Sequence, residues 1–175
     1  TSKRILFAGG ISPQWNHADI INAMESIQDS EYWLCGPIDY NYDEELKKLG
    51  GWSHVKFFGK IPHDDVSAKM SQCAVGIALL TPGENTDGHN GTMGNTKIFE
   101  EMMAGLPVVC TDFKCWKEII DKYHCGICVN PKDEKEIKKA IEYLLENPEE
   151  ARKMGENGRR AVKEEFNWSV EEKKL

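Results

Sequence analysis

Apolar positions along the chain fall into short continuous runs separated by stretches with helical spacing. RILFA at residues 4–8, EYWLC at 31–35, VKFF at 55–58, AVGIALL at 74–80, PVVC at 107–110 and GICV at 126–129 read as six strands. The 74–80 run is nearly continuous in apolar residues, which suits a parallel strand covered on both faces. Between these runs, residues 19–27 place Ile20, Ala23, Met24 and Ile27 on one side of a helix, and residues 43–49 form a short charged helix stopped at Gly50-Gly51. Pro62 opens a helix to about Met70, with Val66 and Met70 inward. Residues 96–103 carry Ile98, Met102 and Met103 at helical spacing, with Gly105 and Pro107 as stop signals. Residues 116–123 make another helix, and residues 134–146 an amphipathic one with Ile137, Ala140, Ile141, Leu144 and Leu145 on one face. After the break at Asn147-Pro148, residues 148–166 predict a more polar helix with Ala151, Met154, Gly158, Ala161 and Val162 inside. Ser169 caps a last helix, over 169–175, that the chain leaves unfinished at Leu175.

Alternation at this spacing predicts an α/β fold, a Rossmann-like doubly wound parallel sheet of about six strands with C-terminal helices and right-handed crossovers. The 175 residues read as a single domain over 1–175, long enough for a core of its own. Ligands in such sheets bind beyond the carboxyl ends of the strands. Those ends carry Gly9-Gly10, Gly36-Pro37, Gly59-Lys60, the loop at 81–94 and Thr111-Asp112, so the glycine-bearing segments converge on one rim. Gly9-Gly10 serves equally as a phosphate turn or an ordinary one. The loop TPGENTDGHNGTMG, with four glycines, feeds the helix at 96–103. A helix start behind such a loop suits an anion, because free backbone N–H groups and the helix dipole both favour negative charge there. Glu100, about one turn in, is placed to accept hydrogen bonds from a ribose diol, or is a solvated residue beside Glu101.

Charge narrows the picture. With 22 basic and 29 acidic residues the chain is at −7, which argues against a nucleic-acid surface as the main function. It has no apolar run of 18 residues, so no transmembrane segment is expected. The first residues lack the length and cleavage pattern of a signal peptide and reach a strand almost at once, so the chain reads as a piece of something longer. Cys35, Cys73, Cys110, Cys115, Cys125 and Cys128 mostly sit beside apolar strand residues and read as reduced, buried thiols of a cytoplasmic protein. Cys125 and Cys128 lack the second pair or the helix start that a zinc or redox role needs. His17, His54, His63, His89 and His124 are scattered, and no metal is expected.

Residues 94–112, with Lys97-Ile98-Phe99-Glu100 followed by Ala104-Gly105-Leu106-Pro107-Val108-Val109, resemble the donor-binding segment of family 4 retaining glycosyltransferases. Enzymes of that family have the GT-B fold of two Rossmann-like halves, and the resemblance covers nearly the whole chain as the C-terminal half. Residues 4–10 resemble its first strand and glycine turn, carrying Gly9 and Gly10. VKFFGKIP at 55–62 is similar to the segment whose following residues contact the base, and CGICVNP at 125–131 to a strand ending in Pro, which accounts for the cysteine pair. Residues 166–175 resemble the last helix, which returns to pack on the other half. The resemblance implies that Glu100 holds the ribose, that the amides of Thr96 and Lys97 meet the diphosphate, that Gly94 and Asn95 lead into that helix, and that Lys60 and Ile61 contact the base.

Departures from the family pattern are Thr92, where a second glutamate often stands, and Gly10 and Trp15, at about the places of an Arg and a Lys that neutralise the diphosphate. Lys97 and Lys60 are the candidates to replace them. The resemblance further implies a hexosyltransferase-type enzyme for bacterial surface polysaccharide or glycoconjugate synthesis, taking a UDP- or GDP-sugar with retention and no permanent cofactor or metal. Its partner would be an N-terminal acceptor-binding domain, and this chain alone would be inactive. No catalytic residue is assigned to this half. The full enzyme would be cytoplasmic or at the inner face of the membrane. The alternatives are a non-catalytic Rossmann-like regulatory or interaction module and half of a GT-B sugar-nucleotide epimerase. Trp15, in a loop on the predicted rim, is a candidate sugar contact, whereas Asp87 and His89 read as solvated loop residues.

Overall fold

The computed structural model describes residues 3–166, so the helix expected at 169–175 lies outside the described residues. The chain alternates β1 (Arg4–Ala8), α1 (His17–Met24), β2 (Glu31–Cys35), α2 (Tyr42–Lys47), β3 (Val55–Gly59), α3 (His63–Met70) and β4 (Val75–Ala78). It continues with α4 (Lys97–Met103), β5 (Val108–Thr111), α5 (Lys114–Tyr123), β6 (Gly126–Val129), α6 (Glu134–Glu146) and α7 (Pro148–Ala161). The six strands form one parallel sheet in the order β3-β2-β1-β4-β5-β6. The order reverses between β1 and β4, and a crevice opens beyond the strand ends at such a switch point.

Side chains alternate across each strand and so divide the core between two faces. Ile5, Phe7, Tyr32, Leu34, Val75 and Ile77 occupy one side, where α1 packs against α6. Leu6, Ala8, Trp33 and Cys35 point to the other, with Met70, Cys73 and Leu106 against them. α4 packs on β4, β5 and α7. β3 is the edge strand, and Lys56 and Phe57 on it are exposed. Asp133 caps α6, its carboxylate accepting from the amides of Lys135 and Glu136, both at 3.1 Å.

Pattern and structure part company mainly at helix starts. α1 begins at His17 instead of 19, because Asn16 takes the left-handed conformation (φ 55°) and turns the chain into the helix two residues early. α5 likewise begins at Lys114 instead of 116. In α4 the inward residues are Ile98, Phe99, Glu101 and Met102, whereas Met103 is 37% exposed. α7 ends at Ala161, and residues Val162–Phe166 continue as a wider π turn. No helix among the described residues is long and apolar enough to cross a membrane. All six cysteines are free thiols. Burial pushes the Cys73 and Cys125 thiols up to about 12, which keeps them protonated at neutral pH.

Candidate functional site

A cavity of about 1030 Å³ lies beyond the carboxyl ends of β1 and β2, between α3 and α4. Its floor is Ala8, Gly9, Cys35 and Gly36. α3 supplies Val66, Ser67 and Met70, and Lys60, Ile61 and His63 stand where the chain enters that helix. α4 and the residue before it supply Thr96, Lys97, Phe99, Glu100 and Met103.

The floor is made of backbone. The Gly9 N–H donates to the Cys35 carbonyl at 2.9 Å and the Gly36 N–H to the Gly59 carbonyl at 2.8 Å, stitching three strand ends together. Gly9 and Gly36 have φ of 145° and 147°, and a Cβ on Gly36 would stand 1.8 Å from the Gly9 carbonyl oxygen. Only glycine fits there. Gly36→Ala is therefore expected to cost about 3 kcal/mol or more from strain and overpacking together. A urea midpoint lower than wild type by the corresponding amount checks it.

Lys97 is the charged centre of the cavity. It is the first residue of α4, and its side chain is only 14% exposed. Nζ donates to the Ala8 carbonyl, sits 5.1 Å from the centre of the Phe7 ring and lies 2.7 Å from where a Cβ on Gly9 would stand. The lysine thus places its charge on the glycine turn from the opposite side of the cavity. One turn further along α4, the Glu100 carboxylate lies 3.5 Å from Lys97 Nζ and remains 56% exposed. The Lys97 amide is already engaged, donating to Asn95 Oδ1 at 3.0 Å. What it offers a ligand is its side-chain cation.

The sequence-derived residues divide as follows. Gly9, Lys60, Ile61, Thr96, Lys97 and Glu100 line this cavity. Gly10, Gly94 and Asn95 do not, and neither does Thr92. Asn95 acts on the site only through the amide it holds. Asp87 and His89 are exposed in the loop and also stand off the cavity. Trp15 is 7% exposed, with its ring packed on Phe7 at 5.3 Å, so its face is not open for stacking. The loop is tied to the N-terminus of α5, where the Lys114 and Cys115 amides donate to the His89 and Asn90 carbonyls, each at 2.9 Å.

Sequence reasoning missed the residue that joins the rim loops. Asn16 is buried, and its Nδ2 donates to the Leu79 carbonyl at 2.6 Å and to Thr81 Oγ1 at 2.9 Å, while Lys132 Nζ donates to its Oδ1. The one available signal was an Asn just before a helix, a type that tolerates the left-handed region. His17 is fully buried against Tyr32, whose hydroxyl is 2.8 Å from Nδ1; desolvation lowers its pKa to about 3, so it is a neutral core residue. Among the described residues no three His, Cys, Asp or Glu side chains gather as a metal site.

Fold and cavity together define a Rossmann-like α/β domain with its ligand cleft at the topological switch point. The chain belongs to the group 1 glycosyl transferases, whose family profile matches residues 1–161. It is 26% identical over 164 residues to an uncharacterized glycosyltransferase of Methanocaldococcus jannaschii, covering 93% of this chain and 44% of that protein. It is 25% identical to the phosphatidyl-myo-inositol mannosyltransferase of Mycobacterium leprae, covering 96% of this chain and 44% of that one. Among solved structures, Anabaena HepE in complex with UDP and glucose superposes with a TM-score of 0.79 at 20% identity, over 98% of this chain and 48% of that one. The chain therefore spans less than half the length of these three proteins. Family and fold agree with the expectation of a GT-B-type glycosyltransferase domain.

Proposed function

We propose that this chain is the donor-binding half of a retaining hexosyltransferase, holding a UDP- or GDP-sugar for an N-terminal acceptor-binding domain. The product would be a bacterial surface polysaccharide or glycoconjugate, made in the cytoplasm or at the inner face of the membrane. The observation that carries this reading is one helical turn that presents a half-buried cation, Lys97, and an exposed carboxylate, Glu100, to one cavity floored by bare backbone. In this reading the diphosphate lies on the Gly9 turn against Lys97 Nζ. The ribose hydroxyls bond Glu100, and the base lies by Lys60 and Ile61. As the glycosidic bond breaks, negative charge collects on the departing diphosphate, and a cation fixed beside it in a partly desolvated site stabilises that charge. Lys97 thus takes the part that Gly10 and Trp15 cannot play.

Three further facts support the reading: the family to which the chain belongs, the mannosyltransferase among its relatives, and the UDP in the HepE complex. The test is titration of the chain with UDP, GDP, dTDP and ADP by calorimetry and heteronuclear NMR. Saturable binding of one of them, with shifts at Gly9, Lys97 and Glu100, is expected. Glu100→Ala should weaken it by about 1.5–3 kcal/mol, the range for hydrogen bonds to a charged group. An unchanged affinity in that variant removes Glu100 from the ribose site. Silence with every nucleotide would favour a non-catalytic module.

A further inference from the structure

β5 and β6 are neighbours, with β6 at the edge of the sheet, and their register sets Cys110 directly beside Cys128. The two sulfurs stand 3.8 Å apart, in contact as a thiol pair. Cys110 is fully buried, whereas Cys128 is half-buried. The pair lies 18 residues apart and is not the Cys125–Cys128 spacing that the sequence displays. Sheet register alone brings it together. Cys125 is fully buried, and its Cβ lies against Gly158 of α7 instead. Neighbouring strands are about 4.8 Å apart, inside the span of about 4.4–6.8 Å between the Cα atoms of a disulfide. The backbone therefore already holds Cys110 and Cys128 at a distance that a disulfide bridges.

The two thiols differ in role. The hydrogen bond with Cys128, and then burial, push the Cys110 thiol well above its usual range. Cys110 thus keeps its proton, and the Cys128 sulfur is the accepting one. The half-buried sulfur is also the one that an oxidant reaches. Lys117 on α5 stands within electrostatic reach of it: the lysine pKa is raised, chiefly by the hydrogen bond and charge of Asp121 at 3.2 Å and in smaller part by Cys128. The thiolate is the nucleophile in thiol oxidation, and a cation and a hydrogen-bond donor are what stabilise a thiolate.

We propose that Cys110 and Cys128 form a reversible oxidation site whose oxidant is a hydroperoxide. The Cys128 thiolate attacks one peroxide oxygen, the O–O bond breaks, and Cys128 becomes a sulfenic acid. The departing hydroxide or alkoxide takes up the proton that the Cys128 thiol gave to water. The Cys110 sulfur then attacks the Cys128 sulfur and displaces its hydroxyl, which leaves as water with the Cys110 proton. Two electrons pass from the thiol pair to the peroxide, and one disulfide forms. A dithiol reductant reverses it by thiol–disulfide exchange. Transient, sensing disulfides are the kind found where thiols are otherwise kept reduced. The bond would close a ring around α5, whose first amides hold the 81–94 loop through the His89 and Asn90 carbonyls. Neither thiol lines the large cavity, so the site is independent of the donor reading.

The experiment exposes the reduced 175-residue chain to graded hydrogen peroxide, blocks the remaining thiols with N-ethylmaleimide, and maps its peptides without reduction. A Cys110–Cys128 cross-link is expected as the first product, with both thiols restored by dithiothreitol. The oxidised chain should unfold at higher urea than the reduced one, since the bond restricts the unfolded state. Cys110→Ser should stop at the Cys128 sulfenic acid, captured by dimedone. Cys128→Ser should leave Cys110 reduced at the same peroxide dose. Cys115→Ser, which alters the other half-buried thiol, should leave the wild-type cross-link unchanged. A first cross-link joining Cys125 to Cys128, or oxidation spread evenly over all six thiols, overturns the proposal. So does a folded chain whose pair stays reduced at doses that oxidise the urea-unfolded chain, or an oxidised chain that unfolds at lower urea than the reduced one. The wild-type peptide map decides the pairing even where a serine variant fails to fold.

Discussion

If the proposed donor site holds, Lys97→Met is expected to lower the affinity of this chain for a nucleoside diphosphate by about 10- to 100-fold, equivalent to about 1.5–3 kcal/mol for a hydrogen bond to a charged group. The size of the effect comes from burial. A surface lysine facing a phosphate is screened by water and salt and contributes little. Lys97 is 14% exposed, and its ammonium is fixed between the Ala8 carbonyl and the Glu100 carboxylate at the end of β1. It is therefore oriented before the ligand arrives, and little side-chain entropy remains to be lost. Methionine keeps the length and apolar stem of the side chain, so the α4 packing should survive. Lys60, exposed at the cavity edge, makes the contrast: Lys60→Ala should cost under about threefold, as exposed charges do. Calorimetric titration with the preferred nucleotide at low and moderate salt separates the two. Equal, salt-sensitive losses at both positions would mean a diffuse basic rim and no seated cation. Lys97→Arg should rescue only in part, because Nζ already lies 2.7 Å from where a Cβ on Gly9 would stand, and a planar guanidinium needs more room.

Much of the sheet was legible in the sequence because β1, β4 and β5 are buried on both faces, and a parallel strand so buried writes itself as an uninterrupted apolar run. β1, β2 and β6 match their apolar runs to the residue. Helix ends were less legible, since a left-handed Asn16 without a side-chain cap and a wholly buried His17 both imitate loop. In the site, the positions of Lys97 and Glu100 were legible through the family motif. The seclusion of Lys97 was not, because a lysine at a helix start reads as solvated and only the approach of the β1 end, 89 residues away in sequence, encloses it. The large cavity also takes Val66 and Met70, which do point inward as their spacing suggests, but toward the ligand space as well as the core. Met103 and Glu101 exchanged roles for the same reason. Helical spacing assigned the apolar residue to the core, whereas Met103 forms cavity wall, and Glu101 fills a place that Gly76 on β4 leaves open.

Glu101 leads to the second large expected effect, on stability and its pH dependence. Its side chain is fully buried and neither carboxyl oxygen has a hydrogen-bond partner. Its Cδ lies 2.7 Å from where a Cβ on Gly76 would stand. Burial pushes its pKa well above the usual carboxylate range; the charge of Lys97 opposes this only in part, and that of Glu100 adds to it. The folded chain therefore holds a proton there that the unfolded chain gives up near pH 4.3. An acid shifted in this direction costs nothing below the unfolded value. Above it, stability falls as pH rises, and levels only when the folded-state pKa is passed. Glu101→Met removes both the unpaired oxygens and the titration. The variant should be more stable than wild type at neutral pH by at least about 1–3 kcal/mol, the cost of an unsatisfied buried polar group. The difference should widen from about pH 5 toward pH 8 by as much as about 1.4 kcal/mol per pH unit, the limit for one proton. Urea unfolding of both proteins at several values across that range measures it. A difference independent of pH would mean that the carboxylate is ionised in the fold and paired, with Lys97 the cation whose charge acts on it. In that case the same lysine could not be free for a diphosphate, so nucleotide affinity at each pH, measured alongside, ties this stability experiment back to the site.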